Sequence, residues 1–129
     1  MKKVLNLILV LFFLFLSVNS SNAMTFDEAY SDVSRTPMVA LIYADWADDA
    51  QNCIQQYRTV QAHFGNQFNF AELNITKPEA KSFTEKYHIY PKLPYIIMFR
   101  DGGKVSRYIP RDCANSASCI SSKLRSFIQ

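Results

Sequence analysis

Two stretches of the chain repeat apolar residues with the spacing of an α-helix. The longer stretch follows Trp46 and ends near Gly65, a residue type that is common at helix ends. Both stripes have the 3.6-residue period of a helix that buries one face. Asp48 and Asp49 are expected in the first turn of the longer helix, where the helix dipole favours negative charge. The apolar positions are Ala50, Cys53, Ile54, Tyr57, Val60 and Phe64 in the longer stripe, and Ile120, Leu124, Phe127 and Ile128 in the other.

Three helix starts carry polar capping signals. A serine or threonine followed three residues later by glutamate predicts a capping box, in which each side chain accepts a hydrogen bond from the other residue's backbone. Two such pairs predict short helices, and Pro78 suits the first turn of the second, which we expect to run to about Tyr87. The expected caps are Thr25 with Glu28, Thr76 with Glu79, and Ser116 or Ser118 for the last helix.

Four apolar runs predict β-strands. The run from Met38 to Ala44 is continuously apolar, which is typical of a strand that is covered on both faces, so we expect it at the centre of a sheet. Residues 68–75, 95–99 and 105–109 follow, and the turn at 101–103 predicts a hairpin between the last two. Helices and strands in this order favour an α/β protein with a mixed central sheet.

The amino-terminal segment has the three regions of a secretory signal peptide. Lys2 and Lys3 precede an apolar stretch from Val4 to Leu16, and small and polar residues lead to Ala23. The apolar stretch is shorter than the roughly 20 residues of a membrane-spanning helix. We therefore predict residues 1–23 as a signal peptide, residues 24–129 as one domain, a periplasmic or secreted location, and no membrane association after cleavage.

Charge and composition exclude several function classes for residues 24–129. Without Lys2 and Lys3, 12 basic residues stand against 11 acidic ones, and such a balance does not favour nucleic-acid binding. The chain has two histidines, His63 and His88, and neither lies at a zinc-binding spacing from a cysteine. We predict no metal and no cofactor.

The three cysteines leave alternatives open. Cys113 and Cys119 flank a five-residue polar segment that can turn back on itself, so they are expected to form a structural disulfide or, alternatively, a redox-active pair. Cys53 lies on the apolar stripe of the long helix, which favours a buried free thiol. The alternative is a displaced nucleophile, or a site for a mixed disulfide with a partner.

Three motifs follow one another in a particular order. A buried strand enters Ala44-Asp45-Trp46-Ala47-Asp48-Asp49-Ala50, the next strand ends in Leu73-Asn74-Ile75, and Leu93-Pro94 precedes an apolar strand with a glycine turn. In this order they resemble the thioredoxin superfamily, whose first motif is Ala-x-Trp-Cys-x-x-Cys and whose proline is cis. The resemblance covers nearly all of residues 24–129. It implies a thioredoxin-like fold, with a mixed central β-sheet of about four strands flanked by helices on both faces.

The sequence departs from this superfamily at its reactive positions. Thiol–disulfide exchange needs one thiolate to attack and a second thiol to resolve the intermediate, and Ala47 and Ala50 occupy the two matching positions. The buried acid that the family often carries on the preceding strand corresponds to Leu41, and a nearby lysine corresponds to Glu72. These residues predict that the chain is not a dithiol oxidoreductase.

A peptide-binding groove is the surface that the resemblance still implies. In the family, the motif turn and the residues beside the cis-proline hold an extended peptide, which needs no cysteine. The matching residues are Trp46, Ala47, Asp48, Asp49, Leu93, Pro94 and Tyr95. These residues favour a basic or aromatic segment, with positive charge selected by Asp48 and Asp49 and apolar contact from Trp46 and Tyr95.

Two functions follow from these residues. The favoured one is a non-catalytic module, an adaptor or chaperone-like factor, which binds an exported protein or an extended peptide segment. The alternative is a thiol–disulfide oxidoreductase or redox-homeostasis protein that uses Cys113 with Cys119, or Cys53.

Overall fold

The computed structural model describes residues 24–87, 89 and 92–129. The predicted signal peptide, together with His88 and the loop residue Pro91, lies outside the described residues. In the part of the chain that is described, no helix has the length and apolar character needed to cross a bilayer.

Four strands form one mixed sheet, as predicted. They are β1 (Met38–Tyr43), β2 (Asn69–Asn74), β3 (Tyr95–Arg100) and β4 (Val105–Ile109), in the spatial order β2-β1-β3-β4. Strand β1 runs parallel to β2 and antiparallel to β3, and β3 pairs with β4 in the antiparallel hairpin expected from the glycine turn. The all-apolar β1 lies inside the sheet because it has no face that water could solvate.

Helices cover both faces of this sheet, which confirms the predicted fold class. They are α1 (Phe26–Ser31), α2 (Ala50–Phe64), α3 (Lys81–Lys86), α4 (Arg111–Ala114) and α5 (Ala117–Ile128). A 3₁₀ turn, Pro78–Ala80, precedes α3. Helix α4 was not expected, because its four residues are too few to show a helical apolar period.

The alternating side chains of β1 enter two separate cores. Val39 and Leu41 pack with α2 and α5 on one face. Met38 and Ile42 pack with α1 and α3 on the other. The Tyr57 hydroxyl on α2 lies 2.9 Å from the carbonyl oxygen of Val39 in the first core. This packing fixes α2 against the sheet, and with it the turn that precedes the helix.

Two of the three predicted caps are present. Thr25 and Glu28 form the capping box of α1, with backbone-to-side-chain distances of 3.0 and 3.1 Å. Ser116 caps α5 by accepting a hydrogen bond from the Cys119 amide. The capping box predicted for Thr76 and Glu79 is wrong, because the 3₁₀ turn has Lys77 as its cap and no side-chain bond there.

Candidate functional site

The turn between β1 and α2 presents Trp46 to solvent. The indole is 68% exposed, although it belongs to the residue types that proteins usually cover. The amide of Ala47 donates to the carbonyl oxygen of Ala44 at 3.1 Å, which closes the turn beneath the tryptophan. Trp46 is therefore an apolar projection on an ordered turn.

The predicted position of the two acids in the first helical turn is wrong. Helix α2 begins at Ala50, and Asp49 precedes it with a left-handed backbone, φ 66°. The amide of Cys53 still donates to the Asp49 carbonyl oxygen at 2.9 Å, so Asp49 is the cap residue although its side chain makes no capping bond. Asp48 and Asp49 both remain exposed beside Trp46. Gly65 does follow the last residue of α2, but in a right-handed conformation.

Asp45 fixes the start of this turn, a role that the sequence did not reveal. Its carboxylate accepts hydrogen bonds from Asn74 Nδ2 at 2.7 Å and from Thr76 Oγ1 at 3.1 Å, and Lys77 Nζ lies 3.8 Å away. The two hydrogen bonds hold the pKa of the Asp45 carboxyl below its usual value. The turn that carries Trp46 is thus tied to the chain that follows β2.

The two positions that the resemblance matches to redox cysteines carry only methyl groups. Ala47 and Ala50 are both partly exposed, at the end of the turn and the start of α2. Leu41 is fully buried in the apolar core, and its neighbour on β2 is Glu72. The Glu72 carboxylate forms a two-point ion pair with Arg58 on α2, with both distances 2.8 Å. Leu41 has no group that could move a proton, and the carboxylate of Glu72 is paired with Arg58.

The second half of the predicted groove begins at a cis peptide bond between Leu93 and Pro94. Because Ile42 pairs with Tyr95, the chain after β1 and the chain before β3 meet at the same end of the sheet. Leu93 and Ala44 accordingly share one buried cluster, and Ala47 packs against it. The turn that carries Ala47 and the segment that carries Leu93 therefore lie at the same end of the sheet.

One contact predicted for the groove is wrong. Tyr95 is only 1% exposed, and its ring packs edge-on against Tyr108 at a centroid distance of 5.8 Å. It cannot give a peptide the predicted apolar contact, because its side chain already lies within the molecule. Leu93 is 5% exposed, so its side chain also contributes mainly to the core. Of the groove's larger apolar side chains, Trp46 is the one that solvent reaches.

Solved structures share this arrangement, although the sequence comparisons found no match. No known protein-family description matches the sequence, and no curated protein matches it. The Trx4 domain of ERdj5 superposes with a TM-score of 0.63 at 12% identity, covering 83% of this chain and 94% of that domain. Chloroplastic thioredoxin z gives a TM-score of 0.56 at 14% identity, covering 81% and 90%. The chain has a thioredoxin fold.

A third similar structure is thioredoxin-2, described as a component of the malaria parasite protein secretion machinery. Its TM-score is 0.54 at 18% identity, covering 70% of this chain and 82% of that one. A larger ERdj5 structure also matches, but this chain covers only 14% of it. At such identities the likeness establishes the thioredoxin fold, and the function has to be argued from this chain's own residues.

Within this thioredoxin fold, the predicted disulfide joins Cys113 in α4 to Cys119 in the first turn of α5. The S–S distance is 2.06 Å and the Cα atoms are 5.4 Å apart. Cys113 is buried, whereas Cys119 is partly exposed. The bond closes a short loop between two helices, and it lies on the face of the sheet that α2 and α5 cover.

Asn115, inside the disulfide loop, attaches the loop to α2. Its Oδ1 accepts hydrogen bonds from Asn52 Nδ2 at 2.9 Å and from Cys53 Sγ at 3.1 Å, and its Nδ2 donates to the Arg111 carbonyl oxygen at 3.3 Å. A second contact places the Arg111 guanidinium 3.8 Å from the Asp49 carboxylate. No sequence pattern indicated that Asn115 would take this role.

Cys53 is a free thiol with no exposed surface. Burial raises the pKa of its thiol to about 11, and the negative charge of Asp49 adds to that effect. The thiol is therefore protonated at neutral pH, and the thiolate is the nucleophilic form. Its environment favours an inert core residue over a nucleophile.

Proposed function

We propose that this chain is an exported binding module with a thioredoxin fold and no dithiol activity. In this proposal residues 1–23 direct export to the periplasm or the exterior, and the mature protein holds an extended segment of another exported protein against Trp46. The observation that carries the proposal is that the turn between β1 and α2 is ordered but has no thiol for disulfide exchange. Trp46 projects from an ordered turn, while Ala47 and Ala50 replace both thiols.

The surface around Trp46 favours a segment that is basic or aromatic. A large exposed indole contributes strongly to binding when a partner covers it, and tryptophan is enriched among the residues that dominate interface energies. Asp48 and Asp49 place negative charge beside it. Lysine or arginine in the partner would pair with the acids, and an aromatic or aliphatic side chain would cover the indole.

The single tryptophan allows a direct test, because its emission reports on this surface alone. The mature protein is titrated with extended peptides in which arginine alternates with leucine, and with peptides in which glutamate replaces arginine. We expect saturable change of the Trp46 emission with the basic peptide only, weakening as salt is added. Asp48→Asn with Asp49→Asn should weaken binding several-fold at an unchanged melting temperature.

Calorimetry with the basic peptide and Trp46→Ala completes the test, and Ile128→Ala is the control because Ile128 is an exposed apolar residue at the end of α5. The proposal expects loss of binding in the first variant and retention in the second. An equal change of the Trp46 emission with the basic and acidic peptides, or equal binding of the basic peptide by Trp46→Ala and the unaltered protein, would exclude this surface.

A second candidate function is thiol–disulfide exchange at Cys113 and Cys119. The observation that favours it is the partial exposure of Cys119, which gives an attacking thiolate a route to one sulfur atom. Turnover of a disulfide substrate by the unaltered protein, abolished by Cys113→Ser or Cys119→Ser, would support this candidate instead.

A further inference from the structure

A basic groove lies between β4 and α5, away from the Trp46 turn. Its volume is about 260 Å³, and three cationic side chains surround it: Arg100, Arg107 and Lys123. Met98 and Phe127 form its apolar part. The described residues that line the groove include no aspartate or glutamate. The net charge of the groove is therefore positive, although the whole domain is nearly neutral.

The sheet register explains why these cations converge. Met98 pairs with Arg107, and Arg100 pairs with Val105. Paired residues in an antiparallel sheet point to the same face, so both arginines point to the face that α5 covers. Lys123 stands one helical turn before Phe127 on α5. Three different elements, β3, β4 and α5, thus supply positive charge to one groove.

Most of this charge has no counter-ion within the described residues. Arg107 and Lys123 form no ion pair there, and Arg107 Nη1 donates only to the carbonyl oxygen of Ser106. Arg100 pairs with Asp101 at 2.6 Å and stacks over the Phe127 ring at 5.2 Å. Its Nε is buried and has no hydrogen-bond acceptor among the described residues, which is a cost to the folded state.

The groove adjoins an open edge of the sheet. In the described part of the chain β4 pairs only with β3, so its outer backbone groups face away from the sheet. An extended peptide can add to such an edge through main-chain hydrogen bonds, while alternate side chains enter a neighbouring groove. The edge therefore supplies affinity and the groove supplies selectivity.

The three cations could instead protect the edge of the sheet, but that role explains the position of only one of them. Lysine and arginine on an edge strand commonly prevent unwanted strand pairing, and this accounts for Arg107. It does not account for Lys123, which lies on α5, or for Arg100, which ends the inner strand β3. A second copy of the chain is also a poor occupant, since two-fold pairing of β4 with β4 would bring like charges together.

We propose that the open edge of β4 and the basic groove bind an extended acidic segment of a partner protein as an added strand. Carboxylates at alternate positions of the segment lie between Arg107 and Lys123, and the intervening side chains face the side of the sheet that carries Tyr108. This surface is separate from the Trp46 turn. Arg100 ends the strand that begins beside Pro94, so this arginine lies at the end of β3 that is far from the Trp46 turn.

The test uses the mature protein and a fluorescent peptide of about eight residues, near the usual strand length, in which glutamate alternates with valine. Lys123→Glu should weaken binding about tenfold, because repulsion replaces attraction. Arg125→Glu is the matched control, since Arg125 lies on the same helix, is exposed and does not line the groove. It should change the affinity less than about twofold.

Three further measurements decide between this site and its competitors. Methylation of alternate peptide amides should abolish binding, because an added strand must donate them. A lysine–valine peptide should not displace the glutamate–valine peptide, and sedimentation should show a monomer. Equal losses in Lys123→Glu and Arg125→Glu, undiminished binding of the methylated peptide, tighter binding of a single-stranded oligonucleotide, or a dimer that competes with the peptide would overturn the proposal.

Discussion

Removal of the Cys113–Cys119 disulfide is the perturbation that best separates a structural bond from a redox-active one. The two cysteines are six residues apart, and the loop-entropy relation gives about 2 kcal/mol of stabilisation for so short a loop. A structural bond should contribute this amount to the free energy of unfolding. Loss of the bond should also loosen the Asn115 contacts with Asn52 and Cys53, which depend on the loop's position.

The assay is urea unfolding followed by far-ultraviolet circular dichroism. We expect the Cys113→Ser, Cys119→Ser double variant to unfold at a urea concentration about 1 M lower than the oxidised protein, given usual denaturant slopes for small domains. The reduced natural protein should match the double variant. Reductant should not affect the double variant itself, which controls for any effect of the reagent.

Binding at the Trp46 surface provides the second measurement on the same variant. Because the disulfide lies between α4 and α5, its loss should leave the affinity for the basic peptide nearly unchanged while the protein is folded. An unchanged urea midpoint would refute the structural assignment. A lost affinity with an unchanged midpoint would indicate that the bond acts on the binding surface.

Two further predictions concern the Cys53 thiol and the glycine turn between β3 and β4. Cys53, with a pKa of about 11, should react with iodoacetamide far more slowly in the native protein than in urea. The free energy of unfolding should fall as pH rises from about 9 towards 11, since the folded state favours the protonated thiol. Cys53→Ala should lack that part of the pH dependence, and equal reactivity in both states would contradict the burial of Cys53. Gly103→Ala should lower the free energy of unfolding by about 2 to 3 kcal/mol, because φ is 89° and a Cβ would overlap the Tyr30 hydroxyl. Gly102→Ala should lower it by about 1 kcal/mol, because Gly102 is also left-handed but has open space around it. Equal melting temperatures for the two variants would show that Tyr30 moves freely.

The strands of the sheet could be predicted because each one is determined by residues that are neighbours in the sequence. Met38 to Tyr43 is apolar at every position, and such a run has few alternatives to a central strand. The hairpin between β3 and β4 likewise depends on neighbouring residues, including two glycines with positive φ. The bounds of β4 agree with the prediction, since Val105 and Ile109 delimit a run between a glycine turn and a proline.

The details of the site escaped prediction where they depend on distant partners. Thr76 has the spacing of a cap, but its hydroxyl bonds to Asp45, which is 31 residues away in sequence. Asn115 meets Cys53 across 62 residues. Asp49 has a φ of 66°, which places this acid before α2. The only indication of this in the sequence is that aspartate tolerates the left-handed region better than most residues do. Contacts between remote segments, rather than local propensity, decide these three features.

The turn keeps its form without cysteines because other bonds hold both of its ends. Asp45 fixes the beginning through Asn74 and Thr76, and the end joins α2 through the Cys53 amide. Neither attachment uses a side chain at Ala47 or Ala50. The turn can therefore present Trp46 with methyl groups alone at these two positions, which is the condition that the proposed binding role requires. It follows that cysteine restored at both alanines would regain the thiols but not their proton-handling neighbours, since Leu41 and the Arg58-paired Glu72 would remain.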